Sequence, residues 1–251
     1  MSRRYFLAAV AALAIASGAA AIAQAAVPAP IAAALADKGR PEADVKRDAV
    51  RHPGELLAWA GVKPGQKVAD FIMGGGYFTR ILSAAVGPKG HVYAYQPSEF
   101  IKFSATYGEQ QKAVAAAYPN VTAIAVPFSE LKLPSKLDLV LTVQNYHDLH
   151  LKAFPADNAA RMNSEIFRAL KPGGVYVVVD HVGPAGPGVP DELHRIDPAQ
   201  ARREIEAAGF RFAGSSDLLK AAADPHTDNV FKPSIRGKTD QFAMKFVKPK
   251  R

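Results

Sequence analysis

From Lys67 to Thr79 the chain reads KVADFIMGGGYFT, an apolar run, three glycines, and then apolar residues returning at helical spacing. Val68, Phe71 and Ile72 form a hydrophobic run bounded by Gly65 and Gly74, the length of a buried parallel strand. Glycine lets the backbone turn sharply and approach a ligand with no Cβ in the way. Beyond the turn, Phe78, Ile81, Leu82 and Ala85 mark one face of a helix that stops at Val86, Gly87 and Pro88. A strand, a glycine turn and a helix in this order place the helix N-terminal N–H groups at the carboxyl end of the strand, where a carboxylate or phosphate can dock.

The same grammar recurs along the chain. His91–Tyr95, Val121–Val126, Leu137–Val143 and Val175–Val179 read as further strands, each separated from the next by helical patterning or turn residues. Helices are expected over 98–118 and from Ala156 to Leu170, the latter opened by Pro155. Another follows Asp197 and Pro198 and runs to Ala208, while 47–60 reads as an amphipathic segment broken or started at Pro53. Phe210–Ser215 and Gln241–Val247 read as a closing pair. The expected fold is α/β, a seven-stranded, mostly parallel sheet with helices on both faces.

At 251 residues, 49% hydrophobic and 22% charged, the chain can build one core of good size. Residues 1–25 stand apart: Arg3 and Arg4 precede an Ala-rich apolar run ending in Ala23, Gln24 and Ala25, the pattern of a cleaved export signal. Alanine, Ser17 and Gly18 make that run a poor lasting membrane anchor. Ser2 to Leu7 (SRRYFL) also resembles a twin-arginine export motif, with general secretion as the alternative. The expected destination is the periplasm or the medium. Residues 26–45 read as a linker with a short helix, and 46–251 as the folded domain. There is no cysteine, hence no disulfide framework and no thiol nucleophile. Without Arg3 and Arg4 the formal charge falls from +8 to +6, spread along the chain, which argues against a nucleic-acid partner.

The polar residues collect at predicted strand ends. Leu137–Val143 delivers Gln144, Asn145, His147, Asp148 and His150 to the ligand edge of the sheet, and Val175–Val179 delivers Asp180 and His181 beside them. A histidine there can move a proton near neutral pH and an amide can orient a substrate, which makes His147, Asn145 and His181 the candidate catalytic residues. His147 and Asp148 capping the next turn is the competing reading. His194 and His226 add to the histidines, but no pair has the short spacing of a helical metal site, and no metal is assigned. The long connection from Ser216 to Thr239, carrying Asp224, His226 and Asp228, reads as a lid over the ligand face or as a surface loop.

Asp70 with Gly74–Gly76, and Leu170–Gly174 (LKPGG) further on, resemble a class I S-adenosylmethionine-dependent methyltransferase. Asp48, Arg51–Glu55 (RHPGE), the glycine turn, Asn145–Asp148 (NYHD), Lys238–Asp240 (KTD) and Lys245–Pro249 (KFVKP) resemble an exported bacterial predicted-methyltransferase family from about residue 40 to 249. The resemblance implies a Rossmann-like methyltransferase fold with an antiparallel C-terminal edge hairpin, S-adenosylmethionine as cofactor and a small-molecule acceptor. It places the methionine end of the cofactor at Asp70, Gly74, Gly75 and Gly76. The ribose falls near Gln96, where the class commonly carries an acid, and Pro127 stands where it often has an aspartate. Phe128 either stacks on the purine or closes the core. An alternative keeps the fold but gives it small-molecule binding or metal-assisted chemistry, because an exported enzyme has no evident supply of this cofactor.

Overall fold

In the computed structural model, which describes residues 27–250, the Lys67–Thr79 stretch is the strand, turn and helix that its pattern implies. Strand β1 (Lys67–Phe71) passes through the glycines into α5 (Tyr77–Val86). Ahead of them lie α1 (Ala29–Leu35), α2 (Glu42–Val45), α3 (Asp48–Arg51) and α4 (Pro53–Ala60). After them come β2 (His91–Tyr95), α6 (Ser98–Phe103), α7 (Ala105–Ala117), β3 (Val121–Ile124), β4 (Leu137–Val143), α8 (Asn158–Ala169) and β5 (Leu170–His181). The chain closes with α9 (Val189–Leu193), α10 (Pro198–Ala207), β6 (Arg211–Ser216) and β7 (Gln241–Val247). The seven strands lie in the order β3-β2-β1-β4-β5-β7-β6. All pairs are parallel except those of β7, which runs antiparallel to both β5 and β6.

Burial explains why the central strands read as continuous apolar runs. In β5 Tyr176 and Val178 join one core while Val177 and Val179 join the other, and in β4 Val140 and Leu141 divide the same way. Helices α1, α4, α5 and α7 cover one face, through Ile31, Leu56, Ile81 and Val114 among others; α8 and α10 cover the opposite face with Ile166 and Ile205. Each fully buried aliphatic side chain contributes about 1.5–3 kcal/mol relative to exposure. Among the described residues no helix is long and apolar enough to cross a membrane. The export signal expected at 1–25 lies outside the described residues.

Two local expectations are corrected. The helix expected over 98–118 is two, broken at Ser104, whose extended backbone (φ −148°, ψ 116°) resets the direction. Periodicity is blind to a one-residue break, and serine is a residue type that starts helices. Strand β5 begins at Leu170, five residues early, because Gly173 N–H donates to the Lys248 carbonyl and Lys248 N–H to that of Gly174. The 47–60 segment divides at Pro53, the residue expected to break or start it, with His52 in the left-handed region (φ 44°) and Pro53 opening α4. Helix α9 occupies a stretch to which the sequence patterning assigns no element.

Candidate active site

At the carboxyl edge of β1, β4 and β5 lies a cavity of about 930 Å³, lined by residues from every layer that reaches that edge. Asp70, Ile72, Met73, Gly74 and Gly75 supply its β1 side, and Gln144, Asn145, His147, Asp148 and His181 its β4 and β5 side. Arg47 and Arg51 contribute from the N-terminal helices, Phe100, Phe103, Tyr107 and Phe154 form an aromatic wall, and Val230 and Phe231 reach in from the 217–240 connection. The connection therefore covers the cavity, the lid reading of the sequence.

The three glycines do different work. At Gly74 (φ 53°) a Cβ would point into open space, so the backbone here presents itself to a ligand. Gly75 has an ordinary φ and would place a Cβ 3.3 Å from the end of the Gln110 side chain. Gly76 (φ 80°) packs against Val114, where a Cβ would sit 2.7 Å from a methyl group, and it is the N-cap of α5 with no capping side chain. Asp70 takes the first-turn N–H of Thr79, and the helix start still turns the positive end of its dipole toward an anion. Arg51 stands over the Tyr77 ring at 4.7 Å and donates a hydrogen bond to the Gln144 side-chain oxygen Oε1. Burial lowers its pKa to about 10, which still leaves it cationic at neutral pH. Asp70 is buried, with Oδ2 accepting from Thr79 Oγ1 at 2.6 Å, and burial pushes its carboxyl pKa up to about 6.

Gln96 and Phe128 lie behind the cavity wall. Gln96 is 0% exposed; its Oε1 accepts from Gly74 N–H at 2.9 Å, and its Nε2 is buried without a partner. It therefore holds the shape of the turn from beneath. Phe128 is also buried and packs edge-on against Tyr95, Phe100 and Phe154, at 6.1, 6.1 and 5.1 Å between ring centres. Phe100 and Phe154 are the rings that face the cavity. Sequence periodicity assigns Phe100 and Tyr107 to a helix face, yet it cannot distinguish core from wall.

The histidines are differentiated by their carboxylate neighbours. Asp180, fully buried at the end of β5, accepts from the His147 backbone N–H (2.7 Å) and lies 2.9 and 3.0 Å from His147 Nδ1. Asp148 approaches His147 Nε2 at 3.3 Å and is itself held by Asn145 Nδ2 at 2.9 Å. Burial pulls the His147 pKa down, but the two carboxylates outweigh it and raise the value to about 9. The two carboxylates thus favour the imidazolium form of His147 at neutral pH. Burial takes His181 the other way, to about 4, so this ring is neutral; its Nδ1 is hydrogen-bonded to Thr239 Oγ1 at 2.8 Å. His194 packs edge-on to His147, 5.5 Å between ring centres. Among the described residues, His147, Asp148 and His194 are the group whose ligand atoms, all within 4.8 Å of one another, could hold a metal ion. His226 pairs with Asp240 and Asp228 with Lys232, neither on the cavity wall.

Residues 69–178 match the sequence model of a methyltransferase domain. A ubiquinone/menaquinone biosynthesis C-methyltransferase of Vibrio vulnificus is 27% identical over 190 residues, 74% of this chain; the chain spans 63% of that relative's length. Among solved structures, a SAM-dependent methyltransferase from Aquifex aeolicus superposes with a TM-score of 0.58 at 20% identity, covering 81% of this chain and 93% of its own. Aeropyrum pernix fibrillarin, solved with natively bound S-adenosyl-L-methionine, gives 0.50 at 14% identity, covering 76% and 73%. The fold of this chain is the Rossmann-like fold of those enzymes, with the same class of mostly parallel seven-stranded sheet.

Proposed function

We propose that this chain is a methyltransferase whose cavity binds S-adenosylmethionine and transfers the methyl group to a small-molecule acceptor in the same space. The observation that carries this reading is that one cavity is shared by an anion-binding turn, an aromatic wall and a histidine cluster. Its volume lies near the upper end of the ~300–1,000 Å³ range of small-molecule sites, which suits a cofactor together with a modest acceptor.

The residues fit the cofactor in four respects. The carboxylate docks at the uncapped start of α5 beside Arg51, and the open backbone at Gly74 lets it approach. Asp70 and Asp44 offer acceptors for the amino group. Phe100, Phe103, Tyr107 and Phe154 give the purine faces to stack on. When bound, the cofactor supplies an electrophilic methyl group on a sulfonium centre. The chain's own part is to position the acceptor and manage its proton. His181, neutral and tied through Nδ1 to Thr239, takes that proton at its other ring nitrogen; His147 contributes fixed positive charge that draws an electron-rich acceptor toward the histidine cluster. Asn145, braced by Asp148, orients it. Gln96 acts through Gly74. We also place this activity outside the cytoplasm, on the strength of the Arg3-Arg4 leader pattern.

Ultraviolet cross-linking of methyl-labelled S-adenosylmethionine to the full chain, followed by peptide mapping, tests the reading. Label should concentrate on 98–107 and 72–80, and be displaced by S-adenosylhomocysteine. Label scattered over surface peptides, or insensitive to competition, would contradict it.

A further inference from the structure

We propose that His147, Asp148 and His194 form a binding site for one borderline divalent cation of the Zn²⁺ or Fe²⁺ kind, in the wall of the cavity. Two imidazoles and one carboxylate are a ligand set suited to such ions and poorly suited to Mg²⁺ or Ca²⁺, which take oxygen. Bonds of about 2.0–2.1 Å at tetrahedral angles set ligand-to-ligand edges of about 3.3 Å. His147 Nε2 and Asp148 Oδ1 stand 3.3 Å apart, and the remaining edges lie within 4.8 Å. Closing those edges takes a shift of at most about 1.5 Å, within reach of the half-buried His194 ring.

The surroundings point to a ligand as well. In metal sites a ligating histidine usually donates its second ring nitrogen to a carboxylate, which fixes its tautomer and orientation. His147 Nδ1 does this to Asp180, a fully buried residue that also accepts the backbone N–H of His147 and of His181. Nε2 is then the nitrogen presented to the cluster. Asp148 is oriented by Asn145 Nδ2, and the His194 ring is held edge-on to Phe231, 4.8 Å between ring centres. An imidazolium between Asp180 and Asp148 would account for both carboxylates; it would not account for His194, a third ligand converging on the same atoms. All three residues line the cavity, so the open coordination positions face it. Such a position takes water or a donor oxygen or nitrogen of a molecule in the cavity, and three protein ligands with open sites are the pattern of a catalytic ion. The ion takes over from the proton on Nε2, the ring staying bonded through Nδ1. The site is independent of the cofactor assignment.

The test uses the full chain stripped with chelator, then titrated with Zn²⁺, Co²⁺ and Mg²⁺ while following calorimetric heat and, for Co²⁺, the visible d–d absorption. One equivalent of Zn²⁺ and of Co²⁺ should bind, Co²⁺ should develop a band of a four- or five-coordinate N/O site, and Mg²⁺ should not compete. His194→Ala should weaken binding by more than ~10-fold and abolish the band; Asn145→Ala, which leaves the ligands in place but frees Asp148, should weaken it ~10-fold or more. His91→Gln, at the far edge of the sheet against Thr122, should change nothing. No stoichiometric binding by the stripped wild-type chain overturns the proposal, as does binding that survives His194→Ala. Because His194 is half-buried and His147 is left intact, the variant keeps its fold, and circular dichroism on the same sample checks it.

Discussion

At the residue scale, adjacent glycines should respond in opposite ways. Gly76→Ala meets both a left-handed backbone and a 2.7 Å contact with Val114, so it should lower stability by about 1–3 kcal/mol. Gly75→Ala asks only that the Gln110 side chain move and should stay within about 0.5 kcal/mol of wild type, both read by denaturant melts. The His147 ion pair carries a pH signature. Its pKa is raised from an ordinary 6.5 to about 9, so the stabilisation is fully present below pH 6.5 and is lost as pH rises through 9. That is roughly 3 kcal/mol across the window. In chelator-treated buffer, the stability gap between wild type and His147→Gln should therefore narrow from pH 6 to 10; a gap constant in pH would show that the ring is uncharged when folded. Sequence reading places His147, Asn145 and His181 on one edge because strands β4 and β5 are adjacent. It could not see that Asp180 decides the charge of His147, since a carboxylate beside one histidine in sequence turns out to pair with another in space.

At the element scale, the buried Arg195–Asp224 ion pair fastens the 217–240 connection, beside hydrogen bonds from Asn229 and Val230 to the Glu192 and Leu193 carbonyls. Arg195, fully buried, donates to both oxygens of Asp224 at 2.7 and 3.0 Å and to the Val182 and Asp228 carbonyls. Asp224 in turn accepts from the Asp240 and His226 backbone N–H groups. Removing the carboxylate leaves a buried cation unpaired, a cost of about 3–5 kcal/mol that falls on the docking of this segment rather than on the sheet. Limited proteolysis of Asp224→Ala should show new cuts within 217–240 while the far-ultraviolet spectrum is retained; unchanged protection would mean that other contacts hold the lid. All seven strands were legible, and β2, β4 and β7 match residue for residue, because short apolar runs set off by polar or turn residues leave little freedom; α9 was not. The break near Pro53 was legible too, but the one at Ser104 was not, since it depends on one residue's backbone angle. Both matter to the site: the His52 turn sets the segment that carries Arg51, and the Ser104 break sets the aromatic wall.

At the scale of the whole molecule, the N-terminal helices are tied to α5 beside the cavity. Arg40 bridges to Asp48 at 2.6 and 2.8 Å, Asp48 accepts from Tyr77 at the start of α5, and Arg80 reaches Asp44. The catalytic edge is thus enclosed by segments from both ends of the chain. Export carries its own expectation: protein recovered from the periplasm should have an intact mass that starts near Ala26, whereas a full-length mass in the membrane fraction would favour an uncleaved anchor. The central claim, that this cavity is a cofactor site built on the glycine turn and Arg51, is tested most directly by isothermal titration of the full chain with S-adenosylmethionine. The account predicts saturable binding at one site, weakened about 10-fold or more in Arg51→Gln through loss of a charge-assisted contact. Absence of binding at millimolar cofactor, or equal affinity in the two proteins, would contradict it.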